Sequence, residues 1–235
     1  MKRVILIFCA VLITMISLHS DISLGIIGGL NFADLDPYVD GLSKKAEAIN
    51  KSCFGLLFDV DISEYFTFRF EPMYIKKGGK ILDALRDIDD VPMKINCSYI
   101  ELPFFIKTNH LNSLNLYILG GPVFSFLLDC EADIDIYYGD DLGDITFNAD
   151  LMDVTKNFDL GIGIGGGFKI PFNRISFYGE ARYVRGLMNA REAGDVTIKG
   201  EYDGEIITET VTMDAEDNKY ANQGAQLLLG VTFTL

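Results

Sequence analysis

Three glycines in the stretch "NFDLGIGIGGGFKI", residues 157–170, have the spacing of a phosphate-binding loop. Gly161, Gly163 and Gly166 match the pattern G-x-G-x-x-G, in which glycines let the backbone approach a dinucleotide pyrophosphate. That motif needs a strand before it and a helix after it. Here Pro171 and a β-rich run follow the glycines, so no helix fits. The stretch therefore predicts a strand and not a nucleotide site.

The two histidines give little support for catalysis. His19 lies in a segment that we expect to be removed, and His110 lies in a short predicted turn. A histidine–serine enzyme would need its histidine beside a nucleophile, and the sequence offers no such pair. Hydrolysis by paired carboxylates stays formally open because acidic residues are abundant. We expect no catalytic residue, no enzymatic activity and no cofactor.

Acidic residues crowd the segment 129–156, which holds nine Asp or Glu against one Lys. Asp133 and Asp135 form a D-x-D pattern, and the pair Asp140-Asp141 follows, which suggests calcium ligands. An EF-hand loop needs ligands at fixed offsets, a central glycine and a closing glutamate, and these are absent. We expect no metal site and interpret the segment as a solvated, self-repelling loop. The same loop could associate loosely with divalent ions.

Residues 1–20 have the pattern of a secretory signal peptide. Lys2 and Arg3 precede an apolar run over residues 4–18, which is shorter than the about 20 apolar residues of a membrane-spanning helix. We expect cleavage after residue 20 and one mature domain, residues 21–235. Removal of Lys2 and Arg3 changes the formal net charge from −14 to −16. This acidity argues against nucleic acid as a partner, because phosphate binding needs basic patches.

Alternation of apolar and polar residues is the strongest pattern in the remaining chain. A period of two marks a strand with two different faces, and this pattern returns eight times. The predicted strands are residues 22–32, 53–62, 65–74, 99–107, 114–128, 157–170, 175–184 and 225–235. The short predicted connections are residues 63–64, 109–113 and 171–174. The long predicted connections are residues 33–52, 77–96, 129–156 and 188–221.

An even number of strands, each near ten residues, with short turns on one rim and long loops on the other, is typical of outer-membrane barrels. We therefore predict an all-β fold, an eight-stranded antiparallel up-and-down transmembrane β-barrel with short periplasmic turns and long external loops. Within the fourth long loop, residues 195–213 alternate well enough to extend the last two predicted strands beyond the membrane. The exposed edges of such a hairpin could recruit a protein partner by strand addition.

The two faces of the predicted strands differ in chemistry. One face is aliphatic and aromatic, and we expect it to meet lipid. The other face carries charged residues that we expect to pair with one another inside the barrel: Arg69, Glu71, Glu101, Lys107, Glu180 and Arg182. It also carries glycines that make room for bulky lumen side chains: Gly161, Gly163, Gly165 and Gly167. The alternatives are a soluble lipid-binding barrel and a soluble sandwich with solvated charges.

The cysteines lie at the loop-side ends of predicted strands. Cys97 and Cys130 flank the same predicted hairpin and could approach each other; a disulfide between them and two free thiols are both open. The chain has no tryptophan, so an aromatic belt at the membrane interface must use phenylalanines and tyrosines. The expected belt tyrosines are Tyr65, Tyr74, Tyr99, Tyr117, Tyr178 and Tyr183.

Four motifs in the mature chain resemble those of a known family. These motifs, "YIELPFFIK", "LYILGGPVFSFLL", "KNFDLGIGIGGGF" and "ARYVRGLMN", are similar in type and order to those of the small outer-membrane β-barrel-domain family, which includes OmpX-like and PorT-like proteins. The resemblance covers residues 21–235 and implies an integral outer-membrane protein of a diderm bacterium. It implies contact with outer-membrane lipid, lipopolysaccharide and the barrel-assembly machinery. One departure is the terminal Leu235, where many such barrels end in an aromatic residue.

The resemblance indicates the fold of the protein, and it indicates little about its function. We expect a side-chain-filled lumen and a non-enzymatic function in envelope structure, adhesion or surface interaction through the acidic external loops. A PorT-like accessory role in protein secretion across the outer membrane is one alternative. A narrow pore is another, which a filled lumen disfavours.

Overall fold

Eight strand positions close on themselves to form a barrel wall. The computed structural model describes residues 21–37, 46–81, 92–109, 115–137, 144–202, 205–213 and 220–235. The strands are β1 (Ile22–Pro37), β2 (Ala46–Glu47), β3 (Ile49–Asp61), β4 (Phe66–Phe70), β5 (Met73–Ile81), β6 (Met93–Thr108), β7 (Leu116–Tyr137), β8 (Asp144–Asp150), β9 (Phe158–Phe172), β10 (Ile175–Gly186), β11 (Gly194–Tyr202), β12 (Glu205–Met213) and β13 (Tyr220–Thr234). A short 3₁₀ helix spans Met152–Val154.

Antiparallel neighbours form the ring in the order β1, β3, β4 with β5, β6, β7, β9, β10 and β13. The ring closes where β1 pairs with β13, from Ser23 opposite Thr234 to Pro37 opposite Tyr220. β4 and β5 together occupy one position in the wall, because Pro72 lies between them and has no amide hydrogen to donate. The predicted eight-stranded antiparallel barrel is therefore confirmed. Among the described residues, no helix is long and apolar enough to cross a membrane.

Most wall strands continue past the predicted ends on the long-loop side. β7 runs 22 residues, from Leu116 to Tyr137, whereas the alternation predicted an end at residue 128. A β-bulge explains the difference: Tyr99 lies opposite Leu127 and Ser98 opposite Asp129, so Leu128 is an extra residue. A bulge shifts the alternation by one position, and the strand continues with its faces exchanged.

The sheet of the barrel continues beyond the long-loop rim. β8 pairs with the end of β7, β11 pairs with β8 over residues 197–200, and β12 pairs with β11 along its full length. We call β8, β11, β12 and residues 131–137 of β7 the external sheet. The sequence predicted that residues 195–213 would extend the last two wall strands. Instead these residues form a separate hairpin that adds to β8.

The outward side chains of the wall form a continuous apolar belt. Exposed members include Ile26 (60%), Phe54 (61%), Ile164 (68%) and Leu229 (73%). Phe104 stacks on Phe70, with ring centroids 4.8 Å apart, within the same outward surface. A band of exposed aliphatic and aromatic side chains around a closed wall suits contact with lipid hydrocarbon.

Candidate functional site

The lumen at mid-barrel is filled by ion pairs centred on Arg69 of β4. Its Nε and Nη2 atoms donate to the two carboxylate oxygens of Asp59, at 2.7 and 2.8 Å. Its Nη1 atom donates to Glu180 on the far wall at 2.8 Å. Lys107 donates from Nζ to the same Asp59 at 2.6 Å. All four side chains are at least 95% buried.

Glu180 extends this network to Arg182, its neighbour two positions along β10. Arg182 Nη1 lies 3.3 Å from Glu180 Oε1, and its Nη2 atom donates to Glu71 at 2.7 Å. Arg182 also donates from Nε to Gln226 of β13. Five of the six predicted lumen residues thus join one network, in which Asp59 connects Arg69 with Lys107 and Glu180 connects Arg69 with Arg182.

Glu101, the sixth predicted residue, lies in a second cluster on the external side of the first. It forms an ion pair with Lys77 of β5 at 2.6 Å. Lys77 lies 3.7 Å from Asp159 and donates to Ser125 at 2.9 Å. This cluster contains a cation and a carboxylate that the sequence analysis did not single out. Lys77 lies beyond the predicted end of its strand at residue 74, and Asp159 lies two residues before Gly161 in the predicted strand 157–170.

Aromatic rings pack against the lumen cations. The Arg69 guanidinium lies 5.0 Å from the ring centre of Tyr178, and Lys77 Nζ lies 4.9 Å from that of Tyr99. Tyr117 donates from its hydroxyl to Glu180 at 2.8 Å. Cations over ring faces gain cation–π stabilisation when desolvated. Tyr99, Tyr117 and Tyr178 are therefore lumen residues, and their predicted place in an interfacial belt was wrong, whereas Tyr65, Tyr74 and Tyr183 point away from the lumen.

The four predicted lumen glycines lie along the inner face of β9. A Cβ atom on Gly163 would lie 2.9 Å from the Phe105 ring, and one on Gly165 would lie 2.4 Å from Arg182 Cβ. A Cβ on Gly167 would lie 2.7 Å from the Tyr117 hydroxyl, and Gly161 packs against the Arg185 backbone. The glycines leave the space that lumen side chains occupy. β9 turns directly into β10, so the helix required by a dinucleotide site does not follow.

An apolar layer closes the lumen on the external side. Ile75 and Ile95 of the wall pack in one buried cluster with Leu151 and Val154, which follow β8, and with Val196 of β11. The loops are joined above it, since Lys156 donates from its backbone to Ala190, and Ala190 donates to Tyr220. The interior cavity beside Lys77 and Glu101 has a volume of about 10 Å³, which holds about one water molecule. Within the described residues, the lumen is therefore closed.

Cys97 of β6 and Cys130 of β7 lie directly opposite each other. In the structure they form a disulfide, with Cα atoms 4.0 Å apart. Cys53 is a buried free thiol. The disulfide ties the wall at the level where β7 begins to carry the external sheet.

The predicted acidic motifs have no metal geometry in the described part of the chain. Asp133 accepts hydrogen bonds from the amides of Asn96 and Asn148, at 3.2 and 3.1 Å. No group of three or more His, Cys, Asp or Glu side chains there could hold a metal ion. The described residues do not include Asp140, Asp141, His110 or the predicted signal peptide. The side chain of Asp135 is also outside the described part of the structure.

A closed antiparallel ring with an apolar outer belt, an ion-paired lumen and short turns on one rim defines an outer-membrane β-barrel. The family model described as "Outer membrane protein beta-barrel domain" matches residues 17–192. The chain therefore belongs to this family and is an outer-membrane protein. The short turns then face the periplasm and the external sheet faces outward.

Several solved outer-membrane proteins are similar to this chain and distant from it in sequence. A major outer membrane protein from Thermus thermophilus is 12% identical, with 92% of this chain and 100% of that chain covered and a TM-score of 0.48. Neisserial surface protein A is 10% identical, with coverage of 91% and 97% and a TM-score of 0.41. The Escherichia coli outer membrane protease OmpT is 10% identical, with coverage of 92% and 96% and a TM-score of 0.33. No curated protein matches the chain. These similarities carry no inference about function.

Proposed function

We propose that the protein is a closed, non-enzymatic barrel that acts through its external sheet by binding a protein partner. The observation that carries this proposal is the outer edge of β12. β12 pairs with β11 on one side, and no other described strand pairs with its opposite side. A free strand edge presents unpaired backbone donors and acceptors, and a strand of another chain can form hydrogen bonds with them.

β12 lacks several of the features that usually protect an edge, and its charged residues are Glu205 and Glu209. Its nine residues, "EIITETVTM", contain no proline, glycine or lysine, and proteins often block edges with proline, charge or bulges. Ile206 is 73% exposed and Val211 is 38% exposed. An exposed, regular edge with β-branched residues suits an extended partner segment that gains main-chain hydrogen bonds and apolar contacts.

The charge of the external sheet and its adjoining loops determines which charge is favoured in a partner segment that pairs with β12. Their acidic side chains exceed the basic ones, and the exposed acidic members include Glu131, Asp150, Asp153, Glu192, Asp195 and Glu209. A basic segment is therefore favoured through electrostatic complementarity. Pairing between two copies of β12 is disfavoured, because it brings two acidic edges together.

The closed lumen supports a role outside the barrel in preference to transport through it. Envelope attachment or adhesion through the external sheet is the favoured form of this role. A PorT-like accessory role in secretion is the second form, since a secretion partner could also use the β12 edge. A conducting pore is disfavoured by the ion-paired lumen and its apolar cover.

A peptide test addresses the edge directly. The purified full chain in detergent is titrated with a basic, β-prone peptide and with the same peptide N-methylated at alternate residues. N-methylation removes backbone donors, so we expect at least a tenfold loss of affinity. Glu209→Lys should weaken binding several-fold, whereas Glu64→Lys, in the short turn between β3 and β4 on the opposite rim, is the matched control. Equal binding of both peptides would contradict strand addition.

A cellular test separates the two forms of the role. Residues 194–213 are replaced by a short Gly-Ser linker, and surface binding and protein secretion are measured in intact cells. Lost surface binding with intact secretion supports attachment, and the reverse supports the accessory role. Single-channel recording of the wild type should show no conductance. Loss of neither activity would count against the external sheet as the functional surface.

A further inference from the structure

The small cavity in the lumen, beside Lys77 and Glu101, is lined by oxygen atoms that lack a hydrogen-bond partner. Asn31 of β1, Glu101 of β6 and Asn222 of β13 all line this cavity of about 10 Å³. Asn31 Oδ1, Glu101 Oε2 and Asn222 Oδ1 are buried and accept no hydrogen bond from the described residues. Buried polar atoms are nearly always paired, because leaving one unpaired is costly. Three unpaired oxygens around one cavity therefore point to a ligand.

The amide nitrogens of the two asparagines fix which atoms are unpaired. Asn31 Nδ2 donates to the backbone oxygen of Lys76 at 2.9 Å. Asn222 Nδ2 donates to Asp159 Oδ2 at 3.3 Å. Turning either amide over would place its oxygen against another acceptor oxygen. The unpaired amide atoms are therefore acceptors.

Lys77, the cation that lines the cavity, has no donor left for these oxygens. An ammonium group has three donors. Lys77 Nζ lies 2.6 Å from Glu101 Oε1 and 2.9 Å from Ser125 Oγ. It lies 3.7 Å from Asp159 Oδ2. These three contacts match the three donors, and all three go to atoms other than the unpaired ones.

The charges around the cavity sum to a negative value. The network centred on Arg69 is balanced, with three cations and three carboxylates: Arg69, Lys107, Arg182, Asp59, Glu71 and Glu180. The second cluster sets Lys77 against two carboxylates, Glu101 and Asp159. Arg191, a buried cation further toward the external side, donates to Met213 instead. The cavity therefore adjoins one carboxylate more than the ion pairs neutralise.

We propose that this cavity binds a single monovalent cation of the size of sodium, held by Asn31 Oδ1, Glu101 Oε2 and Asn222 Oδ1. Amide and carboxylate oxygens are the ligands that hard cations prefer. Calcium takes six or more oxygen ligands and magnesium keeps several waters, and a cavity with the volume of about one water has no room for them. A water molecule has two hydrogens and would leave one of the three oxygens unpaired.

The cation would stabilise the closure of the barrel. Asn31 and Asn222 lie on β1 and β13, the pair of strands that closes the ring, and Glu101 reaches the cavity from β6. Gly224 of β13 also lines the cavity, and a Cβ atom there would lie 2.6 Å from Asn31 Oδ1. The glycine therefore leaves the ligand oxygen in place. This inference is independent of the proposed function of β12, because the cavity and the external sheet share no residue.

A stability measurement tests for the cation. The purified full chain is folded in lipid vesicles and unfolded with urea, in sodium chloride and in choline chloride of equal concentration. The choline ion is too large for the cavity. We expect the ratio of folded to unfolded barrel to be about tenfold higher in sodium, since a ligand at ten times its Kd multiplies that ratio by about eleven. Equal stability in the two salts would overturn the proposal and leave water as the occupant.

Matched variants locate the site. Glu101→Gln removes the ligand charge and keeps an acceptor for Lys77, and Gly224→Ala places a methyl group against Asn31 Oδ1. Both should lose the difference between sodium and choline. Gly230→Ala is the control, since its Cβ lies on the same face of β13 and meets Leu57 and Ile27 outside the cavity.

Each variant is compared with itself in the two salts, so a general loss of stability does not affect the result. Heat-modifiability on gels shows that each variant is folded. Retention of the sodium effect in either test variant, or its loss in Gly230→Ala, would overturn the assignment.

Discussion

Arg69 and Asp59 form a bidentate ion pair across neighbouring strands inside the barrel. They lie directly opposite each other on β4 and β3, with bonds of 2.7 and 2.8 Å. The same guanidinium reaches Glu180, 111 residues later in the chain. One side chain therefore connects the first half of the barrel to the seventh wall strand. The charged side chains of this network pair across the barrel, so the lumen at this level is filled by ion-paired side chains.

Arg69→Met should destabilise the folded barrel by about 3–5 kcal/mol, the usual cost of breaking a buried ion pair by removing one partner. The variant leaves Asp59 paired with Lys107, and leaves Glu180 with Arg182 and the Tyr117 hydroxyl. The measurement is the free energy of unfolding by denaturant in lipid or detergent. Lys169→Met, at the periplasmic opening near Lys107, is the matched control and should cost less than about 1 kcal/mol.

A double-mutant cycle tests whether Asp59 and Arg69 stabilise the barrel by interacting directly with each other. Asp59→Asn with Arg69→Met should be less destabilising than the sum of the two single changes, because the pair is removed together. Full additivity of the two single changes would contradict a direct ion pair.

Phe104→Arg should prevent barrel assembly, whereas Glu101→Gln should be tolerated. Phe104 faces lipid between Phe70 and Phe124, where an arginine costs about 2–4 kcal/mol at mid-depth. Glutamine at position 101 keeps an acceptor for Lys77, which also lies near Asp159. The measurement is the folded, heat-modifiable fraction on gels. Equal tolerance of both changes would contradict the assigned orientation of the wall.

The wall was predictable from the sequence because its signal is local. Strand alternation needs only neighbouring residues, and it placed the charged residues and the glycines on one face. Asp59 lies on the non-aromatic face of the predicted strand 53–62, so the same alternation could have identified it. Lys77 could not be found in this way, because the predicted strand ended at residue 74, whereas β5 continues to Ile81.

The external sheet was not predictable in the same way. β11 pairs with β8, although more than 40 residues separate their starts at Gly194 and Asp144. The choice of partner depends on tertiary contacts that the alternation does not encode. The bulge at Leu128 also exchanges the faces of β7. Tyr99, Tyr117 and Tyr178 were misplaced because tyrosine suits both a membrane interface and a buried polar network.

Cysteine labelling should find one reactive thiol in the unfolded, unreduced mature protein and three after reduction. The reason is the disulfide between Cys97 and Cys130, which leaves Cys53 as the free thiol. The measurement is the mass increase after alkylation in denaturant, with and without reductant. Cys53→Ser is the control, and it should show no reactive thiol before reduction. Three labelled thiols without reductant would contradict the bond.

Gly165→Ala should destabilise the barrel, whereas Gly120→Ala should be close to neutral. A Cβ at Gly165 would lie 2.4 Å from Arg182 Cβ and 2.6 Å from the backbone oxygen of Ala181, so strand β9 or the arginine must move. Forced overpacking typically costs about 1–3 kcal/mol. A Cβ at Gly120, on β7, meets only a backbone oxygen at 3.3 Å. Both changes add the same methyl group to the wall. The difference between their unfolding free energies therefore reports the contact with Arg182 in the lumen. Unfolding free energies measured side by side check it, and equal losses would show that Gly165 does not make room for Arg182.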